Sequence, residues 1–291
     1  MTTAILFPGQ GSQSVGMGRD VSARFAGAEP IWQTANEILG YDLKQLCYDG
    51  PDDELKNTLH AQPALLTVGV IHYQAAKNEL DAQMTAGHSL GEYTALVAAG
   101  ALSFEAAVQL VKRRAELMAR APEGAMAALI GLPDEKLDGV IQSASVGGEI
   151  VVANYNSPGQ VVVSGAPAAI EWAIENAKAQ GAKIAVKLPV SGAFHSPLMA
   201  HAGREMSELI DAAPFQDARI PVFQNTTANP AMEASELKAA LRGQMTGAVR
   251  WSDCVRHMIA SGADEFVELG PGRVLTGLVK RIDKTVSVKN L

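Results

Sequence analysis

The stretch Gly87-His88-Ser89-Leu90-Gly91-Glu92-Tyr93 fits the pattern G-x-S-x-G. This pattern is typical of a nucleophile elbow, a sharp turn between a strand and a helix that exposes a serine hydroxyl. Glycines two residues before and after the serine let the backbone bend and let a neighbouring chain approach closely. A helix that begins after Ser89 would point free N–H groups at the site, where they favour negative charge. The pattern is short, so a glycine-flanked turn without a catalytic role is the alternative.

The overall composition narrows the class of protein. The chain has 291 residues, of which 47% are hydrophobic and 19% charged, enough for one large domain or two smaller ones. Its net charge of -7 argues against nucleic acid as a partner. The two cysteines, Cys47 and Cys254, have no CxxC or metal-binding spacing and favour a reducing compartment. The chain starts without the charged region of a signal peptide, and no apolar run reaches the ~18 residues of a membrane helix. We therefore expect a cytoplasmic protein that binds neither nucleic acid nor membrane.

Two short strands are predicted next to the elbow, at Thr3–Phe7 and Met84–Ala86. The first strand ends in the glycine-rich turn 8–13, which contains Gln10. A dinucleotide site is one alternative for this turn, but neither the G-K-[ST] motif nor the G-x-G-x-x-G spacing is present. Because α/β sheets gather functional groups at the carboxyl ends of their strands, we expect the turn to serve the same site as Ser89.

A buried arginine is predicted on the helix that Ser103 would cap, which runs to about Arg120. All four helical neighbours of Arg114 at positions i±3 and i±4 are apolar, so Arg114 lies on the buried stripe. A buried guanidinium is costly and cannot lose its proton, so it needs an acidic partner. That partner is either an internal Asp or Glu or the carboxylate of a substrate held by two hydrogen bonds. A further helix is predicted to begin at Gln62-Pro63.

The pattern changes between residues 124 and 189, where four strands and two helices follow in the order βαββαβ. The predicted strands are Ala125–Ile130, Glu149–Asn154, Gln160–Ser164 and Lys183–Leu188, and the helices are Asp134–Ser145 and Pro167–Gln180. This order is that of a ferredoxin-like unit. We predict a small subdomain at 124–189, inserted into a large α/β domain formed by 1–123 and 190–291. In the large domain, strands alternate with helices, which indicates a mainly parallel sheet covered on both faces.

His195 follows Gly192-Ala193-Phe194, where the chain returns to the large domain. Ser196 and Pro197 suit the cap and first turn of a helix, so His195 lies at a junction between loop and helix. A general base could stand there. A histidine that only forms hydrogen bonds at a helix start is the alternative, and the residues alone leave both open.

Taken together, these motifs resemble those of the malonyl-CoA:acyl carrier protein transacylases and of the related acyltransferase domains of fatty-acid and polyketide synthases. The resemblance spans the whole chain, and Arg114 stands 25 residues after Ser89 as in the family. It implies an α/β-hydrolase-like body with an inserted ferredoxin-like subdomain, in agreement with the fold expected above. The motifs that carry it are Pro8-Gly9-Gln10-Gly11, Gly87–Tyr93, Arg114, Gly192–His195 and Glu268-Leu269-Gly270-Pro271-Gly272.

The resemblance implies a role for each matching residue. Ser89 would be the nucleophile and His195 the general base, since a serine hydroxyl is a poor nucleophile until a base accepts its proton. The family works as a Ser-His dyad whose other imidazole nitrogen is held by a backbone carbonyl, and Gln244 matches that position. Many members have a bulkier or proline-containing sequence where this chain has 245–251, so the local loop geometry is expected to differ.

The remaining implied roles concern charge. The backbone N–H groups of Gln10 and Leu90 would form the oxyanion hole, and Arg114 would bind the free carboxylate of a malonyl group. The implied reaction is ping-pong: malonyl-CoA acylates Ser89, CoA leaves, and the phosphopantetheine thiol of acyl carrier protein accepts the malonyl group for fatty-acid synthesis. No metal or bound cofactor is implied, a monomer is expected, and malonyl is favoured over acetyl because only malonyl neutralises Arg114.

Two other classes of function compete with this interpretation. A serine esterase or thioesterase of the α/β-hydrolase type would need a late histidine, for which His201 and His257 are available, and an HGGG-type loop, which is lacking. A non-enzymatic carrier-binding scaffold would leave Ser89 unacylated. Because carrier proteins are acidic, docking is expected at a local basic patch near the cleft, with Lys183, Lys187, Arg250 and Arg273 as candidates.

Overall fold

The computed structural model describes residues 1–190 and 192–291; Ser191, in the second part of the predicted large domain, lies outside the described residues. The strands are β1 (Thr3–Phe7), β2 (Ala82–Gly87), β3 (Ala125–Ile130), β4 (Ile150–Ser157), β5 (Gln160–Gly165), β6 (Ile184–Lys187), β7 (Val222–Phe223), β8 (Pro230–Ala231), β9 (Glu265–Glu268) and β10 (Ser287–Asn290). The α-helices are α1 (Arg19–Arg24), α2 (Ala28–Leu39), α3 (Leu43–Asp49), α4 (Asp52–Lys56), α5 (Thr58–Ala76), α6 (Gly91–Ala98), α7 (Phe104–Ala119), α8 (Leu137–Ala144), α9 (Pro167–Ala177), α10 (Ala200–Ala212), α11 (Ala234–Gly243), α12 (Trp251–Ala260) and α13 (Val274–Ile282). Short 3-10 helices lie at Asp134–Lys136, Ser145–Gly147 and Pro197–Met199.

The large sheet has the strand order β10-β9-β1-β2-β7-β8. All neighbouring strands are parallel except the short β8, which runs antiparallel to β7. Strand β1 lies at the centre, with Phe7 paired to Gly87 of β2 and Leu6 paired to Glu268 of β9. The loops that follow these three strands therefore leave the sheet at the same edge. The predicted α/β class with a mainly parallel sheet is confirmed.

Alternating side chains of β1 contribute to two hydrophobic layers, one on each face of the sheet. Ile5 and Phe7 belong to the larger layer, while Ala4 and Leu6 belong to the layer that includes residues of α12 and α13. Every residue of β1 is buried. A strand covered on both faces has no solvent-facing positions, which is why its sequence is a continuous apolar run.

The small sheet is antiparallel, with the order β4-β5-β3-β6, and α8 and α9 contribute to its hydrophobic core. The chain order β3-α8-β4-β5-α9-β6 is the βαββαβ order predicted from sequence. Isolated bridges join Glu123 to Gly192 and Asn154 to Val249 at the edge of this unit. The boundaries 124–189 and 1–123 with 190–291 stay predictions. Across the described part of the chain, no helix has the length and apolar character needed to cross a membrane.

One predicted helix start is wrong. Helix α5 begins at Thr58 rather than at Gln62, and Pro63 lies inside it. The side chain of Asn57 accepts a hydrogen bond from the backbone N–H of Leu59 and caps the helix upstream of the proline. The Thr67 hydroxyl donates to the Pro63 carbonyl within the helix. This earlier start places Gln62 inside a buried helix.

Candidate active site

The elbow is a tight turn that only glycine can flank. Strand β2 ends at Gly87, Ser89 has a φ of 51°, and α6 begins at Gly91. Positive φ is uncommon for a non-glycine residue and marks stored strain. A Cβ on Gly87 would lie 1.9 Å from the Gly91 carbonyl carbon, and one on Gly91 would lie 2.1 Å from the Phe7 carbonyl oxygen. Both glycines are therefore required for the close approach of β1, β2 and α6.

Asn225, which sequence analysis missed, holds the turn from the neighbouring strand. It follows β7, the parallel partner of β2. The Ser89 backbone N–H donates to Asn225 Oδ1 at 2.7 Å, and Asn225 Nδ2 donates to the Gly87 carbonyl at 2.7 Å. The available signal was the strand-like run 220–224, which Asn225 directly follows.

Ser89 and His195 form a hydrogen-bonded pair. The distance from Ser89 Oγ to His195 Nε2 is 2.8 Å, and His195 Nδ1 lies 2.8 Å from the backbone carbonyl of Gln244. Because a carbonyl can only accept, Nδ1 carries the proton and Nε2 is left to accept the serine proton. Burial, together with the nearby charge of Arg114, lowers the pKa of His195 to about 3. The imidazole is therefore neutral near pH 7 and able to act as a base.

Arg114 extends from α7 to the same hydroxyl and is 1% exposed. Its Nη2 donates to Ser89 Oγ at 3.0 Å and to Gln244 Oε1 at 3.1 Å, and its Nη1 donates to Gln62 Oε1 at 2.6 Å. Among the described residues, no ion pair includes Arg114, and its Nε has no hydrogen-bond partner. The internal Asp or Glu partner considered from sequence is therefore not paired with it in the described part of the chain.

The Gln244 side chain connects the backbone of the nucleophile to Glu92 and Arg114, a role that sequence analysis did not foresee. Its Nε2 donates to the Ser89 carbonyl at 2.9 Å and to Glu92 Oε2 at 2.6 Å. Glu92 is almost fully buried, and this burial raises its pKa to about 7, although the hydrogen bond from Gln244 opposes the shift. One glutamine thus orients His195 through its carbonyl and Arg114 through its amide oxygen.

Gln10 and Leu90 lie in two loops that approach each other closely, since a Cβ on Gly9 would lie 2.4 Å from the His88 carbonyl oxygen. Gln10 stands three residues after Phe7, and Leu90 stands three residues after Gly87, the partner of Phe7 in the sheet. The two chains are still bonded just beyond this pair, because the His88 N–H donates to the Phe7 carbonyl at 3.0 Å. Within the described residues, the backbone N–H groups of Gln10 and Leu90 donate no hydrogen bond. Two adjacent unpaired donors can stabilise an oxygen atom that gains negative charge.

The histidines of the hydrolase alternative lie elsewhere. His201 is exposed, with its Nδ1 3.1 Å from Glu205, and His257 Nδ1 lies 2.8 Å from the Ala228 carbonyl. In the described part of the chain, no group of His, Cys, Asp and Glu side chains has an arrangement that could hold a metal ion. The structure therefore brings together all six residues predicted from sequence: Ser89, His195, Gln10, Leu90, Arg114 and Gln244.

A serine activated by an imidazole, beside two free backbone donors, is a site for acyl transfer through a serine ester. Residues 5–290 match the acyl transferase domain, and the chain belongs to that family. It is 43% identical over 295 residues to the malonyl CoA-acyl carrier protein transacylase of Bacillus subtilis (strain 168), covering 99% of this chain and 93% of the relative.

Solved structures give the same result. The acyl carrier protein S-malonyltransferase of Vibrio cholerae superimposes with a TM-score of 0.96 at 41% identity, covering 100% of this chain and 97% of the other. A malonyl-transacylase solved in complex with its type II PKS acyl-carrier protein has a TM-score of 0.96 at 38% identity, with coverage of 100% and 96%.

Proposed function

We propose that this protein transfers a malonyl group from malonyl-CoA to the phosphopantetheine thiol of an acyl carrier protein, through a malonyl ester of Ser89. The observation that carries the proposal is that Ser89 Oγ contacts both the neutral base His195 and the buried guanidinium of Arg114, which forms no ion pair with another described residue. The relatives named as malonyl transacylases, one of them solved with its carrier protein, support the same substrates.

In the first half-reaction, the Ser89 hydroxyl attacks the thioester carbonyl carbon while His195 Nε2 accepts its proton. The Gln244 carbonyl holds the Nδ1 proton and stabilises the imidazolium that forms. The N–H groups of Gln10 and Leu90 face the charge on the tetrahedral oxygen. When this intermediate collapses, the carbon–sulfur bond breaks, His195 returns the proton to the sulfur of CoA, and malonyl-Ser89 remains.

In the second half-reaction, the pantetheine thiol gives its proton to His195 as its sulfur attacks the ester carbonyl. The bond from carbon to Ser89 Oγ breaks, and the serine regains the proton. Throughout both steps, the distal carboxylate of the acyl group pairs with Arg114, which explains a preference for malonyl over acetyl. The product would supply the extender unit of fatty-acid synthesis.

The small unit at 124–189 is proposed as one wall of the substrate cleft. His88 of the elbow donates from Nε2 to Asn156 Oδ1 of β4 at 2.8 Å, and its ring packs on Trp251 with centroids 5.5 Å apart. These contacts link the elbow to the small sheet. The lining of the cleft by two units is consistent with where ligand sites usually lie.

Carrier docking is proposed near the edge strand β6, which Lys183 precedes and Lys187 ends. Both lysines are exposed, whereas Arg250 is paired with Asp253 at 2.9 Å and its charge is partly offset. Arg273 is exposed as well and stays a candidate. We expect Lys183→Glu with Lys187→Glu to slow transfer to the carrier without slowing acylation by malonyl-CoA. We also propose that the protein is monomeric and cytoplasmic and that it does not bind membranes.

The test is the intact mass of the protein after exposure to malonyl-CoA, followed by addition of holo acyl carrier protein. We expect one malonyl group on Ser89, no adduct in Ser89→Ala, and a normal adduct in the control Ser143→Ala, which changes an exposed serine of α8. The carrier should then remove the group. Release of free malonate at the same rate without carrier would support the hydrolase alternative, and no adduct at all would refute enzymatic acyl transfer.

A further inference from the structure

Besides the Ser89 hydroxyl, two neutral amide oxygens accept hydrogen bonds from the terminal nitrogens of Arg114. Gln62 Oε1 lies 2.6 Å from Nη1, and Gln244 Oε1 lies 3.1 Å from Nη2. Both glutamines are buried, at 0% and 1% exposure. A buried guanidinium is more commonly met by carboxylates, which satisfy its hydrogen bonds and its charge together. Here both terminal nitrogens of the guanidinium donate to neutral oxygens of described residues, so these hydrogen bonds leave its charge unpaired.

The orientation of both amides is determined by their other partners. Gln244 Nε2 points to two acceptors, the Ser89 carbonyl and Glu92 Oε2, so its oxygen must face Arg114. Gln62 Nε2 lies 3.2 Å from the Met118 sulfur, a weak acceptor. Among the described residues, the guanidinium is thus the only strong partner of the Gln62 side chain, and Gln62 lies within α5 next to Pro63.

An acid is close to Arg114 but is bonded elsewhere. Glu92 Oε2 accepts hydrogen bonds from Gln244 Nε2 at 2.6 Å and from the Asn225 backbone N–H at 3.4 Å. Gln244 therefore stands between Glu92 and Arg114. The arrangement keeps a carboxylate from pairing directly with the guanidinium that the substrate has to reach.

We propose that Gln62 is a specificity-determining positioning residue, whose neutral oxygen orients Arg114 without neutralising it. The charge is then available to the carboxylate of an acyl group, and a glutamate at position 62 would form an internal ion pair that competes with the substrate. Gln62 acts through Arg114 and is separated from Ser89 Oγ by the guanidinium. The inference rests on the proposed malonyl transfer and deepens it.

The test compares Gln62→Glu with the wild type in the rates of Ser89 acylation by malonyl-CoA and by acetyl-CoA. The substitution preserves size and changes only an amide to a carboxylate. We expect the kcat/KM for malonyl to fall on the order of 100-fold, as for a buried charge whose partner is displaced. The acetyl rate should stay within about threefold, because acetyl has no carboxylate to lose. The malonyl:acetyl ratio is a readout that a merely structural role would not move.

Two further variants keep the result interpretable. Gln74→Glu places the same charge at a half-buried position of the same helix and should leave the ratio unchanged. Gln62→Met removes the acceptor without adding charge, and we expect a smaller loss, about tenfold, mainly as a higher KM for malonyl-CoA. If Gln62→Glu does not fold, the ratio measured for Gln62→Met decides.

Each outcome has a definite meaning. An unchanged malonyl:acetyl ratio in Gln62→Glu, or an equal loss on both substrates, overturns the inference. If only Gln62→Met folds, an unchanged malonyl:acetyl ratio in that variant overturns the inference as well. If the wild type itself takes no malonyl group, the proposed function is refuted. If the wild type takes a malonyl group but the malonyl:acetyl ratio is the same in the Gln62 variants, only the role of Gln62 is refuted.

Discussion

Replacing Arg114 with alanine should remove the preference for a charged acyl group. The guanidinium is 1% exposed and lies 3.0 Å from Ser89 Oγ, so a carboxylate on the acyl chain would meet it in a poorly solvated space. Two unit charges about 4 Å apart interact by roughly 4 kcal/mol at an effective dielectric constant of about 20. That energy corresponds to about a thousandfold in rate, and water entering the space left by the side chain reduces it, so we expect a loss of at least about 100-fold.

Acetyl transfer should respond differently to the same change. Acetyl has no carboxylate, so it loses no charge pairing when Arg114 is removed. In addition, the charge of Arg114 is the second cause, after burial, of the lowered pKa of His195. Its removal raises that pKa and makes the imidazole a stronger base. We therefore expect the acetyl rate to be preserved or increased.

The assay is single-turnover acylation of Ser89, followed by intact mass, with malonyl-CoA and acetyl-CoA in parallel. The matched control is Arg113→Ala, the adjacent arginine on the same helix, which is 40% exposed and pairs with Glu116 on the surface. It should leave both rates within about twofold, as expected for a surface ion pair. Equal loss of malonyl and acetyl transfer in Arg114→Ala, with the fold intact by circular dichroism, would refute the role of the arginine in carboxylate binding.

Three further predictions concern the pKa values and the turn. Since burial lowers the pKa of His195 to about 3, the pH profile of kcat/KM for acylation should show no inflection near the usual histidine value of 6.5. The profile is measured between pH 5 and 8 in Glu92→Gln, because Glu92 itself has a pKa of about 7. An inflection near 6.5 in this variant would count against a neutral, buried base. Burial raises the pKa of Glu92 from 4.5 to about 7, so wild-type stability should fall as pH rises through this range. Relative to wild type, Glu92→Gln should therefore gain on the order of 3 kcal/mol in the free energy of unfolding between pH 5 and pH 8. Urea unfolding at a series of pH values measures this, and the same dependence of the free energy of unfolding on pH in both proteins would exclude the shift. Gly91→Ala should lose more than about 3 kcal/mol or fail to fold, because its Cβ would lie 2.1 Å from the Phe7 carbonyl oxygen, whereas Gly139→Ala, with open space around it, should be neutral or stabilising; thermal unfolding of the two variants makes the comparison.

The parts of the fold that sequence predicted are those with a local signal. Strand β1 was found at its observed bounds because its apolar run is continuous, and the buried position of Arg114 followed from its four apolar helical neighbours. The start of α5 was wrong because Pro63 is a strong local signal, while the Asn57 cap that overrides it is a weaker one. Strand β8 has only two residues, one of them proline, and has no sequence pattern of its own.

The supporting residues of the site could not be predicted for a different reason. Gln62, Glu92 and Asn225 act through side-chain hydrogen bonds to residues 52, 152 and 136 positions away in the chain. The local pattern around Gln62 and Glu92 does not distinguish a residue of the site from any other buried or surface residue, and the place of Asn225 after a strand-like run is only a weak signal, because the distinction depends on which elements meet. The motif and the family resemblance indicated the reacting groups, and the structure was needed to find what holds them.

The charges of the site are interdependent, and this bears on how an acyl group is selected. His195 is neutral because it is buried and because Arg114 is close to it. A carboxylate bound to Arg114 offsets that charge, so it removes the largest effect after burial that lowers the pKa of the base. An acyl group that fits the guanidinium therefore also makes His195 a better proton acceptor at the moment Ser89 attacks. Acetyl neither pairs with Arg114 nor raises the pKa of His195, since it leaves the charge of Arg114 in place. Discrimination then arises in the chemical step as well as in binding, and interactions that strengthen in the transition state are those that raise kcat.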